Sequence, residues 1–132
     1  MALVSKLSRY TQSVFYIFAG LNHFINPGFY YPLIPVYLPF HEFINYGSGI
    51  LEMVLGVGLL IPKTRKLAAR GIVLMLIAFI PSHIYFIKLG SCIEGVLCVD
   101  PWVAWLRLVV IHPLLIWWGW NFERKIIKKK KI

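Results

Sequence analysis

The stretch Phe43-Ile44-Asn45-Tyr46-Gly47-Ser48-Gly49-Ile50-Leu51-Glu52-Met53-Val54-Leu55-Gly56-Val57-Gly58-Leu59-Leu60-Ile61 carries one charged side chain, Glu52, near its middle. As an α-helix it reaches about 28 Å, close to the ~30 Å hydrocarbon thickness of a bilayer. A carboxyl group at that depth cannot sit against lipid and needs a partner, water or a ligand. Asn45, Gly49, Glu52 and Gly56 recur at spacings of four, three and four and therefore share one face. Ser48, one turn before Glu52, adds a donor, and the glycines permit close approach of a second helix. This face reads as inward and polar.

Apolar runs at about 9–26, 70–88 and 102–122 match the 43–61 run in length, and proline or glycine punctuates the breaks at Pro27-Gly28, Ile61-Pro62 and Asp100-Pro101. With 59% hydrophobic residues, 16% aromatic residues and a mean hydropathy of +0.73, the chain has too few polar side chains to cover a soluble core. The expectation is an all-α, polytopic membrane four-helix bundle forming a single domain over residues 1–132. The first run resembles a signal peptide in its basic flank. It is long, however, and ends at Asn22-His23-Phe24-Ile25-Asn26-Pro27 without a small-residue cleavage pattern, so it counts as a span. Residues 27–41 are too proline-rich to span and too aromatic for water, which suits the outer interface. Trp102 and Trp105 mark that interface on the last run, and Trp117, Trp118 and Trp120 approach the opposite one.

The net charge of +9 invites a nucleic-acid reading, which the placement of the charges argues against. Lys6 and Arg9 precede the first run, Lys63, Arg65, Lys66 and Arg70 lie between the second and third, and Arg124, Lys125 and Lys128 to Lys131 follow the fourth. These alternate connections hold all the basic residues except Lys88 and Arg107. The pattern places both termini and the 62–70 loop in the cytoplasm and accounts for the charge without nucleic acid. The tail from Lys125 to Ile132 serves topology and attracts anionic lipid of the bilayer at ~1 kcal/mol per basic residue.

Depth along each run follows from the ~1.5 Å helical rise. His23, His83 and Arg107 fall about 5–8 Å below the outer surface, and Glu52 and His112 about 13–15 Å down. The result is a polar layer in the outer half of the bundle with a carboxylate beneath it. Arg107 and Glu52 are the obvious pair by charge. Two readings stay open: an ion pair that fixes helix packing, or a ligand site in which Arg107 and the histidines surround a polar group and Glu52 accepts a proton. Pro81 and Pro113 each remove a helical hydrogen bond, either as kinks satisfied by neighbours or as breaks whose freed carbonyls line a cavity. No HxxxH or HxxEH spacing occurs, so no metal site is expected. Cys92 and Cys98, both on the expected oxidising side, predict a disulfide. Their C-x5-C spacing favours a structural staple over redox cycling.

The run Ala19-Gly20-Leu21-Asn22-His23-Phe24, the proline-rich segment through Pro39, and Gly47 to Gly56 come first in a longer series. Leu59-Leu60-Ile61-Pro62-Lys63-Thr64-Arg65 with Ala68-Ala69, then Ile80-Pro81-Ser82-His83-Ile84-Tyr85, and finally Trp105-Leu106-Arg107-Leu108 with Trp117-Trp118 complete it. The ordered series covers about residues 15–122 and resembles the DoxX family of small bacterial membrane proteins. That resemblance implies a four-helix bundle in the bacterial cytoplasmic (inner) membrane. Some relatives are linked to quinone-coupled sulfur oxidation or membrane redox complexes, and others have no known activity. Family-typical polar positions fall on His23, Glu52, His83 and Arg107. His112 stands where many relatives have glutamine, and the Cys92 to Cys98 segment is less typical, so no cysteine mechanism is carried over.

Three functions fit these residues. The first is a redox-associated subunit that binds a quinone or other lipid-soluble molecule between the helices and serves a membrane or extracytoplasmic redox partner. The second is a non-enzymatic assembly or scaffold protein whose buried Glu–Arg pair is structural. The third, a proton-coupled carrier using Glu52, requires a homo-oligomer, because four helices alone make a small transporter. The first is preferred, since a scaffold has no obvious need for an inward carboxylate, an arginine and histidines at similar depths.

Overall fold

The computed structural model describes residues 2–131, so Ile132 of the basic tail lies outside the described residues. The chain is helical along most of its length. Helix α1 spans Ala2–Ile25 and is followed by a short α2 at Pro27–Tyr30 and a 3-10 turn at Tyr31–Leu33. Helix α3 is His41–Leu60, α4 is Arg65–Ala78 and α5 is Ile80–Lys88. A small antiparallel hairpin, β1 at Cys92–Ile93 and β2 at Leu97–Cys98, turns at Gly95, whose φ of +75° suits glycine. Helix α6 at Pro101–Leu106 runs through a π turn at Arg107–Ile111 into α7 at His112–Lys130.

Three helical stretches are long and apolar enough to cross a membrane: His41–Leu60, Arg65–Lys88 and Pro101–Lys130. The first expected span, 9–26, is helical but is not among them, because Arg9, Gln12, Ser13, Asn22 and His23 dilute its hydropathy. Several expected boundaries also move. Helix α1 begins well before residue 9, α4 begins at Arg65 and not at 70, and α7 continues to Lys130 and not 122. Straight-chain lysines and arginines are good helix formers, so a charge run ends an apolar span without ending the helix.

Helix α1 lies along α3, α3 meets α4, and α4 packs on α7. Glycines set the first contact. A Cβ at Gly49 would meet the Gly20 carbonyl oxygen and His23 Cβ at 2.8 Å, and one at Gly56 would meet Ile17 Cγ1 at 2.8 Å. Ser13 Oγ then reaches across to donate to Gly56 O at 2.7 Å. This is the small-residue packing that the 43–61 run predicts. Arg65 closes the far end of α3 by donating to the carbonyls of Leu59 at 2.8 Å and Leu60 at 3.1 Å, satisfying acceptors that the helix leaves unpaired.

Two apolar clusters result. One joins Tyr16, Leu59, Ala68, Ala69, Ile72, Met75, Leu76 and Phe122 toward the end that carries the chain termini. The other joins Leu33, Phe86 and Ala104 under the hairpin. The Cys92–Cys98 disulfide ties the two hairpin strands together. The proline-rich segment folds back over this end, with Leu33, Ile34 and Pro35 buried while Val36, Tyr37 and Phe40 point outward. Ser82 Oγ holds it in place by donating to Leu33 O at 2.6 Å. Around the molecule, buried positions include Gln12, Ser13, His23, Asn45 and Glu52, whereas Leu3, Leu7, Phe18, Val54, Leu74 and Trp117 are exposed. Polar groups inside and large apolar groups outside are the arrangement a lipid solvent favours.

Candidate functional site

A cavity of about 530 Å³ lies between the two apolar clusters, touching Tyr16 and Leu76 of one and Leu33 and Phe86 of the other. His23, Glu52, His83, Arg107 and His112 all line it. Helices far apart in sequence therefore bring the five expected polar residues to one space. The rest of the wall is mostly apolar, with Phe15, Ala19, Ile34, Phe79, Ile111 and Leu115 among its members.

One side of the polar lining comes from α1 and α3. His23 Nδ1 lies 2.7 Å from Asn45 Oδ1, and Asn45 Nδ2 donates to the His23 carbonyl at 3.1 Å. The second bond fixes which way the amide points, so its oxygen faces the ring and Nδ1 carries the hydrogen. Tyr30 stacks on the imidazole with ring centroids 3.7 Å apart, and Asn22 Nδ2 anchors the Tyr30 hydroxyl at 2.7 Å. The other ring nitrogen, Nε2, is left facing Glu52 Oε1 at 3.6 Å. That distance is within ion-pair range for a protonated imidazole and longer than a hydrogen bond. Glu52 Oε2 and the Tyr16 hydroxyl are buried with no hydrogen-bond partner among the described residues. Buried polar atoms of that kind call for an occupant or a bridging water.

The other side comes from α5 and the α6–α7 rod. In an α-helix, Arg107 and His112 would point about 140° apart, since each residue turns the chain by ~100°. The π turn inserts one residue, and the His112 N–H bonds to the Arg107 carbonyl, which brings both side chains to the cavity. Pro113 favours this irregularity, because it lacks the N–H that the Val109 carbonyl would otherwise take. His112 Nε2 donates to Leu76 O at 2.5 Å, beside the break between α4 and α5 that Pro81 produces. His83 meets His112 edge to face with centroids 4.5 Å apart. Among the described residues, no hydrogen bond or ion pair engages the Arg107 guanidinium.

The expected Glu52–Arg107 ion pair is therefore replaced. Glu52 faces His23, because the glycine contact brings α1 and α3 together, while Arg107 enters from the other helices. The Glu–Arg pair that does form joins the buried Glu123 of α7 to the exposed Arg70 of α4, near the end that carries the termini. Sequence reasoning passed over Glu123, although a lone acid in a basic stretch was a signal. It placed Asn45 on the inward face without identifying His23 as its partner, and nothing in the sequence marked Tyr30 as a stacking residue. His41, the remaining histidine, contacts Pro35 O at 3.1 Å and does not line the cavity. Among the described residues no group of three or more His, Cys, Asp or Glu is arranged to hold a metal ion.

The structure thus defines a helical protein with membrane-length apolar helices and a partly open amphipathic cavity. The chain belongs to the family described as a domain of unknown function, DUF8561, which matches residues 13–123 and so takes in every residue of the cavity. No curated protein and no solved structure matches it.

Proposed function

We propose that this is a multi-pass protein of the bacterial cytoplasmic (inner) membrane, a four-helix bundle with both termini cytoplasmic, whose cavity binds a quinone or similar lipid-soluble carbonyl compound as part of a redox system. The observation that supports the ligand most directly is the division of the cavity's polar groups. His23, Glu52 and Tyr16 come from α1 and α3, Arg107 and His83 from α6–α7 and α5, and most of the remaining lining is apolar. A quinone has this pattern, with two carbonyl acceptors across a flat apolar ring. Arg107 is suited to donate to one carbonyl, and a protonated His23 Nε2 or Tyr16 hydroxyl to the other. A volume of about 530 Å³ falls in the usual range for small-molecule sites.

A fourth crossing by α1 rests on its two faces. Gln12, Ser13, Tyr16 and His23 are buried, and Val14, Phe18, Leu21 and Ile25 are exposed, so its low mean hydropathy reflects an inward polar stripe. The orientation rests on the basic residues gathered at alternate connections. The ordered likeness to DoxX proteins supports both the bundle and a redox setting, in which a membrane or extracytoplasmic protein exchanges electrons with the bound molecule. A titration of the delipidated protein with a short-chain quinone, followed by aromatic fluorescence, tests the reading. Saturable binding that Arg107→Leu weakens at least about tenfold is expected for loss of a charge-assisted hydrogen bond, and equal binding by both proteins contradicts it.

A further inference from the structure

A second, smaller cavity of about 300 Å³ lies where the start of α1 meets the last third of α7, lined by Ser5, Ser8, Trp117, Trp118, Asn121 and Lys125. We propose that this cavity binds the phosphate of an anionic phospholipid headgroup, independently of any ligand in the central cavity.

Its chemistry is that of an anion site. Trp118 Nε1 donates to Ser8 Oγ at 2.7 Å, which fixes the indole and leaves the Ser8 hydroxyl hydrogen free to donate. Among the described residues, the side chains of Ser5, Asn121 and Lys125 have no hydrogen-bond or ion-pair partner. Hydroxyls, an amide and an ammonium therefore line one space, with no partner for the amide or the ammonium among the described residues. No acidic residue lines the space, and Glu123, the nearest acid in sequence, is turned to Arg70. Lys6, Arg124 and Lys128 lie within a turn or so of the lining residues and add to the positive field.

The depth of the cavity identifies the source of the phosphate. Asn121 is about 30 Å along the rod from Pro101, one hydrocarbon thickness, so a group held between Asn121 and Lys125 sits at headgroup level. Leu7 and Trp117 are exposed at the level of the cavity and Leu114 one turn further along α7 toward the middle of the molecule, and together they offer apolar surface that acyl chains cover. A soluble phosphate would use the donors and leave that surface idle.

Native mass spectrometry of the full chain in neutral detergent, delipidated and titrated separately with phosphatidylglycerol, phosphatidylcholine and inorganic phosphate, tests the site. One phosphatidylglycerol is expected to bind in preference to both other probes. Lys125→Gln, an exposed position, should weaken that binding at least about tenfold through loss of a charged hydrogen bond. Ser8→Val should weaken it as well, while replacing Lys128 to Lys131 with glutamine should leave the first lipid bound. Binding that follows the lysine tail and ignores Lys125→Gln overturns the proposal in favour of diffuse attraction. Equal retention of phosphatidylcholine overturns the anion selectivity, and inorganic phosphate binding as tightly as phosphatidylglycerol overturns the lipid source.

Discussion

His23 Nε2 faces Glu52 Oε1 at 3.6 Å, and Asn45 holds the opposite edge of the same imidazole at 2.7 Å. The relationship assigns each nitrogen a role. Because Nδ1 is committed as a donor to Asn45, the Glu52 contact across α1 and α3 is left to Nε2. Arg107 takes no part in this pair, although it lines the same cavity.

Asn45→Leu removes both bonds that orient His23 at a position with 1% exposure. The buried His23 carbonyl and Nδ1–H then lose their partners, which costs about 1–3 kcal/mol for each group left unsatisfied. Thermal unfolding in detergent should show a lower Tm, and ligand affinity should fall because the imidazole can turn.

Gly49→Leu should separate α1 from α3, since even a Cβ there meets Gly20 O and His23 Cβ at 2.8 Å. Overpacking of this kind costs about 1–3 kcal/mol. Gly47→Ala makes the contrast within the same helix: nothing lies within 4 Å of its added Cβ, and replacing a helical glycine gains roughly 0.5–1 kcal/mol. Opposite shifts in unfolding stability are expected, and equal shifts would contradict the glycine contact.

These two residues also show what was legible in the sequence. Spacing alone put Asn45, Gly49, Glu52 and Gly56 on one buried face, and all four are buried. Helical period is a local property, so a run of residues reports it directly. The partner of Glu52 was not legible, because it depends on which helices touch, and charge favoured Arg107 over a nearer histidine. The π turn was hidden for a related reason. Pro113 marked an irregularity, but whether the chain kinks or adds a residue depends on packing against α4 and α5. Composition foretold the breaks between apolar runs better than helix ends, which continue into charged residues at both Ala2–Ile25 and His112–Lys130.

The Arg70–Glu123 pair should be worth measuring by a double-mutant cycle. Arg70→Gln leaves a carboxylate in a site where the Glu123 side chain is 6% exposed, and Glu123→Gln added to it removes the stranded charge. The Arg70 side chain is 54% exposed, so solvent screens the pair and the coupling should be about 1–2 kcal/mol, below that of a fully buried bridge. The double variant should unfold later than Arg70→Gln alone.

Cys92 and Cys98 close a short loop, with a sequence separation of 6, so opening it by Cys92→Ser should cost about 2 kcal/mol. The same bond reports topology. In intact cells, a membrane-impermeant maleimide should label the pair only after reduction, and labelling that requires permeabilised cells would put the hairpin on the wrong side for the proposed orientation.

Mass spectrometry and ultraviolet spectroscopy of organic extracts from protein purified in native lipid particles test the central claim most directly. Wild type should carry a quinone or a chemically similar carbonyl compound near one equivalent, and both Arg107→Leu and Glu52→Gln should lose it while remaining folded by circular dichroism. Bulk lipid alone in wild type, or the same compound retained undiminished by both variants, would contradict a ligand site built on Arg107 and the His23–Glu52 pair.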